Sequence, residues 1–150
     1  MLTVQQLIPM LQIAIGPVVL ISGVGLLILS MTNRLGRVID RGRSLVRELP
    51  EVPERNRASV MGQLHILSRR ADLLQRAIIL AAFCVLFAAV LVITLFFTAA
   101  LGLEDAWLIG GLFICALGSL ILSLAAFIQE LNQSLMAFRL DIGEWPKVKP

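Results

Sequence analysis

Apolar and polar positions separate into long blocks along this chain before any finer pattern shows. Residues 1–33, 77–103 and 106–129 contain no Asp, Glu, Lys, Arg or His. These uncharged blocks of 33, 27 and 24 residues each exceed the roughly 20 residues a helix needs to cross a bilayer. They predict membrane spans at about 10–32, 78–103 and 106–128.

The segment between the first two spans is periodic in a different way. Leu35, Val38/Ile39, Gly42, Leu45/Val46 and Leu49 form an apolar stripe at helical spacing,. Pro50 and Pro53 then end that helix, because proline lacks the backbone donor and pushes the residue before it out of the helical region,. The pattern resumes as Val60, Leu64, Leu67, Ala71, Leu74 and Ile78, in alternating steps of four and three, the narrow seam of a coiled coil,. It runs into the second span without a break. Residues 33–76 are therefore predicted to form a cytoplasmic antiparallel helical hairpin, a stalk of roughly 25 Å from about 16 residues per arm.

After the third span, Leu131, Leu135, Phe138 and Ile142 step by four, three and four. They predict that the third helix continues into a cytoplasmic C-terminal segment over 129–150. Ile66 and Leu73 add a second apolar strip to the second arm. The strips imply either a three-helix cytoplasmic bundle or contact with a second subunit. The fold class is all-α: one membrane domain over 1–150 with three transmembrane helices, the first two extended as the hairpin.

Composition agrees. Hydrophobic residues make up 58% and charged residues 15%, against about half and about a quarter in a soluble domain, and mean hydropathy is +0.89. A soluble core in a chain of 150 residues could not hide that much apolar surface. Charge sets the orientation. Ten of the 13 Lys and Arg residues lie between the first two spans and the other three follow the third, whereas the second connection offers only Glu104 and Asp105. Basic residues stay on the cytoplasmic side during insertion. The expectation is a bacterial inner-membrane, multi-pass protein with its N-terminus outside and its C-terminus inside. No basic region precedes Leu7–Met31, so that stretch is expected to stay as an anchor rather than be cleaved as a signal peptide.

Small residues recur inside the spans: Gly16, Gly23 and Ser30 seven apart, and Gly111, Cys115, Ser119 and Ser123 four apart. Such stripes allow close helix packing, within one subunit or between two. Gly16-Pro17 is expected to kink the first span. Thr94, Thr98, Ser119 and Ser123 are expected to bond back to their own backbone. Cys84 and Cys115 are read as packing residues. A hairpin turn at 104–105 would place them about ten positions, or roughly 15 Å, out of register for a disulfide.

The chemical inventory is thin. Spans without an ionisable group cannot build a proton relay or a voltage sensor. Outside them there is one histidine, no tyrosine, no metal-ligand spacing and no phosphate-binding glycine loop,. No catalytic residue, cofactor or metal is expected, and the protein is read as a non-enzyme. His65, Arg69, Asp72 and Arg76 share one helix face, either a solvated, ion-paired surface or a pH-sensitive contact at His65. Arg34, Arg37 and Arg41 lie on one side of the first arm's stripe. They are placed to anchor the chain, to meet the phosphates of anionic lipid head groups or to ring the mouth of an oligomeric pore. Asp40 is a candidate partner for Arg69 or Arg70 of the facing arm. Nucleic acid is not an expected partner, since the basic residues cluster where orientation requires them.

The stretch Ile-Gly-Pro-Val-Val-Leu-Ile-Ser-Gly-Val-Gly-Leu-Leu and the motif Asn-Arg-x-x-Arg-x-x-Asp-Arg from Asn33 to Arg41 resemble a family of small bacterial integral membrane proteins of unknown function. Arg69-Arg70 and the two closing spans also resemble it, over most of residues 7–140. The resemblance implies the three-span topology and no activity. The expected function is a self-associating scaffold or regulatory subunit that uses its stalk to bind a membrane or cytoplasmic protein. The alternative is a homo-oligomeric ion channel with a basic cytoplasmic mouth.

Overall fold

The computed structural model describes residues 4–101 and 106–143, with side chains for residues 8, 11–101 and 106–134. The turn at Glu104–Asp105, the side chains of Leu135, Phe138, Arg139 and Ile142, and the tail with Lys147 and Lys149 lie outside the described residues. Among the described residues there are three α-helices: α1 (Val4–Glu48), α2 (Glu54–Leu101) and α3 (Ala106–Gly143). At about 1.5 Å per residue, α1 and α2 are roughly 70 Å long, more than twice the ~30 Å of a bilayer's hydrocarbon core. All three are long and apolar enough to cross a membrane, and the excess length of α1 and α2 forms the hairpin stalk.

The stalk tip follows from its prolines. α1 ends at Glu48, and a single 3-10 turn over Leu49–Glu51 carries Pro50. Val52 is extended (φ −76°, ψ 127°), as the residue before Pro53 must be. The chain then re-enters a helix with Glu54 in its first turn, where a carboxylate meets the positive end of the helix dipole.

The buried positions show how the helices meet. On α1 they are Ala14 and then Val24, Met31, Val38 and Leu45, the last four each seven apart. On α3 they are Ala116, Ser123 and Glu130, again seven apart. On α2 they are Leu74, Ala77, Ala81, Cys84, Ala88 and Leu91, a double row. The difference follows from topology: α2 packs against both α1 and α3 and needs two seams. Alanines dominate it, so the backbones approach closely, which sustains packing where lipid is as apolar as any side chain. Val24, Ala81, Cys84 and Ala116 form the centre of the span region, joining all three helices.

The outer face of the spans is apolar too. Leu26, Ile114 and Ile121 are each about two-thirds exposed, a surface that needs lipid rather than water around it.

The expected kink does not interrupt α1, which runs through Gly16-Pro17 as one helix. Two expectations meet corrections. Ser119, Thr94 and Thr98 donate to carbonyls on their own helix as expected, but Ser123 donates across to the Ala77 carbonyl at 2.7 Å. A buried hydroxyl facing a neighbouring helix at an alanine can reach that helix's backbone. The register also differs from the hairpin count. Opposition of Ala77 to Ser123 and Arg70 to Glu130 brings Cys84 level with Ala116. The two thiols are free because Cys84 is buried and Cys115 faces outward, not because they are far apart along the axis.

Candidate functional site

Arg34 is the first charged residue on α1, and Glu130 is the first charged residue after the uncharged block of α3. Arg70 lies two turns before the uncharged block of α2. Antiparallel packing brings these three residues together where the spans give way to the stalk. Glu130 is fully buried. Its Oε1 accepts from Arg70 Nη2 at 2.9 Å and from Nε at 3.3 Å. Arg70 Nη2 also donates to Ser134 Oγ, one turn along α3, at 3.0 Å. The second carboxylate oxygen, Oε2, lies 3.2 Å from Arg34 Nη2. That contact lacks hydrogen-bond alignment, so its attraction is electrostatic. The Arg34 guanidinium also sits over the Phe127 ring at 5.5 Å, a cation–π contact that keeps it against α3.

The arrangement is a clasp: one buried carboxylate from α3, one arginine from α1 and one from α2. Both arginine side chains remain partly open, at 27% and 18% exposure, so they bridge the interior and the surface. A buried carboxylate is tolerable only when its charge is paired and its lone pairs are occupied. Two arginines pair the charge of Glu130, with Oε1 hydrogen-bonded by Arg70 and Oε2 held by electrostatic attraction to Arg34 alone.

Beside the clasp is an open cleft of about 330 Å³ lined by Arg34, Arg37, Val38, Leu67, Arg70 and Ser134. Arg34, Arg37 and Val38 share one face of α1, at helical spacings of three and four.

The other sequence-derived candidates are distributed differently. Arg41 and Asp40 are exposed, and the carboxylate that meets Arg70 is Glu130. Among the described residues the ion pairs are those of Glu130, so neither Asp40 nor Arg69 takes part in one. His65, Arg69, Asp72 and Arg76 all lie on an exposed face of α2. Gly16, Gly23 and Ser30 face outward, as do Gly111 and Cys115, while Ser119 is half-buried and Ser123 fully buried. A Cβ placed at Gly16, Gly23 or Gly111 would meet nothing within 4 Å.

Glu130 is the functional candidate that sequence reasoning passed over. It falls two residues beyond the predicted third span, where a charge is ordinary. The available signal was its place seven residues after Ser123 and fourteen after Ala116, on the face that α3 buries.

A family model described as "Protein of unknown function (DUF2721)" matches residues 14–140. That range contains every residue of the clasp and the cleft. No curated protein and no solved structure matches the chain.

Proposed function

The chain belongs to the DUF2721 family, and on that premise we propose that it is a non-enzymatic, self-associating membrane scaffold or regulatory subunit whose stalk binds a protein partner. One observation carries the reading: Gly16, Gly23 and Ser30 on α1 and Gly111 and Cys115 on α3 are left unpartnered by the chain's own packing. Gly16, Gly23 and Gly111 have no neighbour within 4 Å of a Cβ position, and Ser30 and Cys115 lie exposed on the same stripes. Glycine and serine stripes let a second helix approach to backbone contact, and a second copy presents a matching stripe.

The stalk has its own unpartnered apolar positions. Ile39, Val46, Met61 and Ile66 are between 39% and 56% exposed and lie outside the uncharged blocks, where lipid does not cover them. With the basic hairpin facing the cytoplasm, this surface is available to a cytoplasmic or membrane partner. The channel reading has less support, since Arg34 turns inward onto Glu130 and leaves only Arg37 and Arg41 to ring a mouth.

Cys115 provides the test. With Cys84 replaced by Ser, oxidation of native membranes should trap a disulfide-linked dimer through Cys115, and Gly23→Leu should reduce its yield. Recovery of monomer alone, with cysteines placed in turn at positions 111, 115 and 23, would sink the self-association reading.

A further inference from the structure

The cleft beside the clasp holds more positive charge than its carboxylate neutralises. Arg34, Arg37 and Arg70 line it, and Glu130 behind them offsets one of the three charges. Two positive charges remain over a cleft of about 330 Å³. The donors are also left in place. Glu130 holds Arg70 by Nε and Nη2, so its other terminal nitrogen has no hydrogen bond among the described residues. Ser134 Oγ accepts from Arg70, which leaves its own hydrogen to donate. Arg37, one turn from Arg34, has no ion-pair partner among the described residues.

Depth narrows the ligand. All three helices leave their uncharged blocks within about two turns of this cleft. It therefore spans the headgroup layer, which adds roughly 5–8 Å on each side of the hydrocarbon core, and the base of the stalk just beyond it. At that depth the abundant anion is phosphate.

We propose that the Arg34–Arg37–Arg70–Ser134 cleft is a phosphate-binding site at the membrane boundary, pre-organised by Glu130, which takes the phosphate of a lipid head group or a free phosphate. Glu130 holds two planar guanidinium groups fixed at the cleft wall, so their forks meet an anion without first losing side-chain freedom. Arg41, on the same arm, stands outside this set. The site goes beyond the scaffold reading and does not depend on self-association.

The test uses the full-length protein in nanodiscs of neutral phosphatidylcholine. Two probes are titrated in separate arms: phosphatidate added to the bilayer, read by native mass spectrometry of retained lipid, and inorganic phosphate added to the buffer, read by calorimetry. Arg37→Gln removes a charge that the clasp does not use, and Arg43→Gln removes an exposed charge of the same helix outside the cleft. The expected result is that Arg37→Gln weakens one probe about tenfold, the worth of one charge-assisted hydrogen bond, while Arg43→Gln leaves it within twofold of wild type. A response confined to phosphatidate assigns the site to lipid, and a response to inorganic phosphate assigns it to the free anion. Binding of neither probe, or equal losses in the two variants, overturns the proposal. Unchanged helical circular dichroism in Arg37→Gln, an exposed position, separates lost binding from lost fold.

Discussion

Replacing Glu130 with Gln is the sharpest perturbation of the clasp, because it changes charge and almost nothing else in shape. The carboxylate is fully buried and lies 2.9 Å from one guanidinium and 3.2 Å from another. At an effective dielectric of about 20, each unit-charge pair at such distances attracts by roughly 5 kcal/mol before desolvation is counted. Burial of the carboxylate cancels much of that, so the intact clasp contributes far less than the gross sum. Breaking a fully buried pair costs about 3–5 kcal/mol, because the remaining partner is left uncompensated. Here the remaining partners are 27% and 18% exposed and turn partly toward water, so the cost falls to about 2–3 kcal/mol. The amide still accepts one hydrogen bond from Arg70, which keeps Glu130→Gln milder than Glu130→Ala. The assay is reversible unfolding in mixed micelles, followed by helical circular dichroism. A double-mutant cycle with Arg70→Gln should return a coupling above about 1 kcal/mol, as expected for contacting charges. A Glu130→Gln protein within about 0.5 kcal/mol of wild type, with no coupling to Arg70, would refute the claim that the clasp joins the helices.

The same packing makes four further predictions. Ser123→Ala removes a buried hydroxyl that donates to the Ala77 carbonyl and should cost about 0.6–1 kcal/mol in the same assay. Met31→Ala empties a fully buried position and should cost about 2 kcal/mol. Gly23→Leu, where a side chain meets nothing within the chain, should leave monomer unfolding within about 0.5 kcal/mol while reducing any dimer in membranes. For orientation, a cysteine replacing Val52 should react with an impermeant maleimide only after permeabilisation, and one replacing Asp105 should react in intact cells.

The architecture was largely legible because membrane spans and proline stops are strong local signals. Three uncharged blocks became three helices, and Pro50 and Pro53 placed the stalk tip where α1 ends and α2 begins. The a/d spacing also placed Val60, Leu64, Leu67, Ala71 and Leu74 on the side of α2 that turns inward. The seams inside the membrane were harder to read. In an α-helix each residue advances about 100°, so positions seven apart drift by only about 20° and positions four apart by about 40°. The Gly111–Cys115–Ser119–Ser123 stripe therefore winds away from the buried face, and only its last residue is fully buried. On α1 the stripe Gly16–Gly23–Ser30 has the period of the buried row Val24–Met31 but is displaced by one residue, about 100° around the helix. Periodicity identifies that a helix has faces and does not say which neighbour takes which face. Arg70 was singled out as an ion-pairing residue, but its partner could not be named from spacing. The pairing spans 60 residues and depends on the register between α2 and α3, which differs from a simple count outward from their turn.

The proposed self-association in the membrane is tested most directly by the protein's mass in solution. Extracted in mild detergent and corrected for bound detergent by light scattering, the protein should have a mass that is an integer multiple, two or more, of the 16.4 kDa chain. Gly23→Leu should shift it toward one chain. A single-chain mass for wild type across several mild detergents, together with no Cys115 dimer in native membranes, would contradict the account.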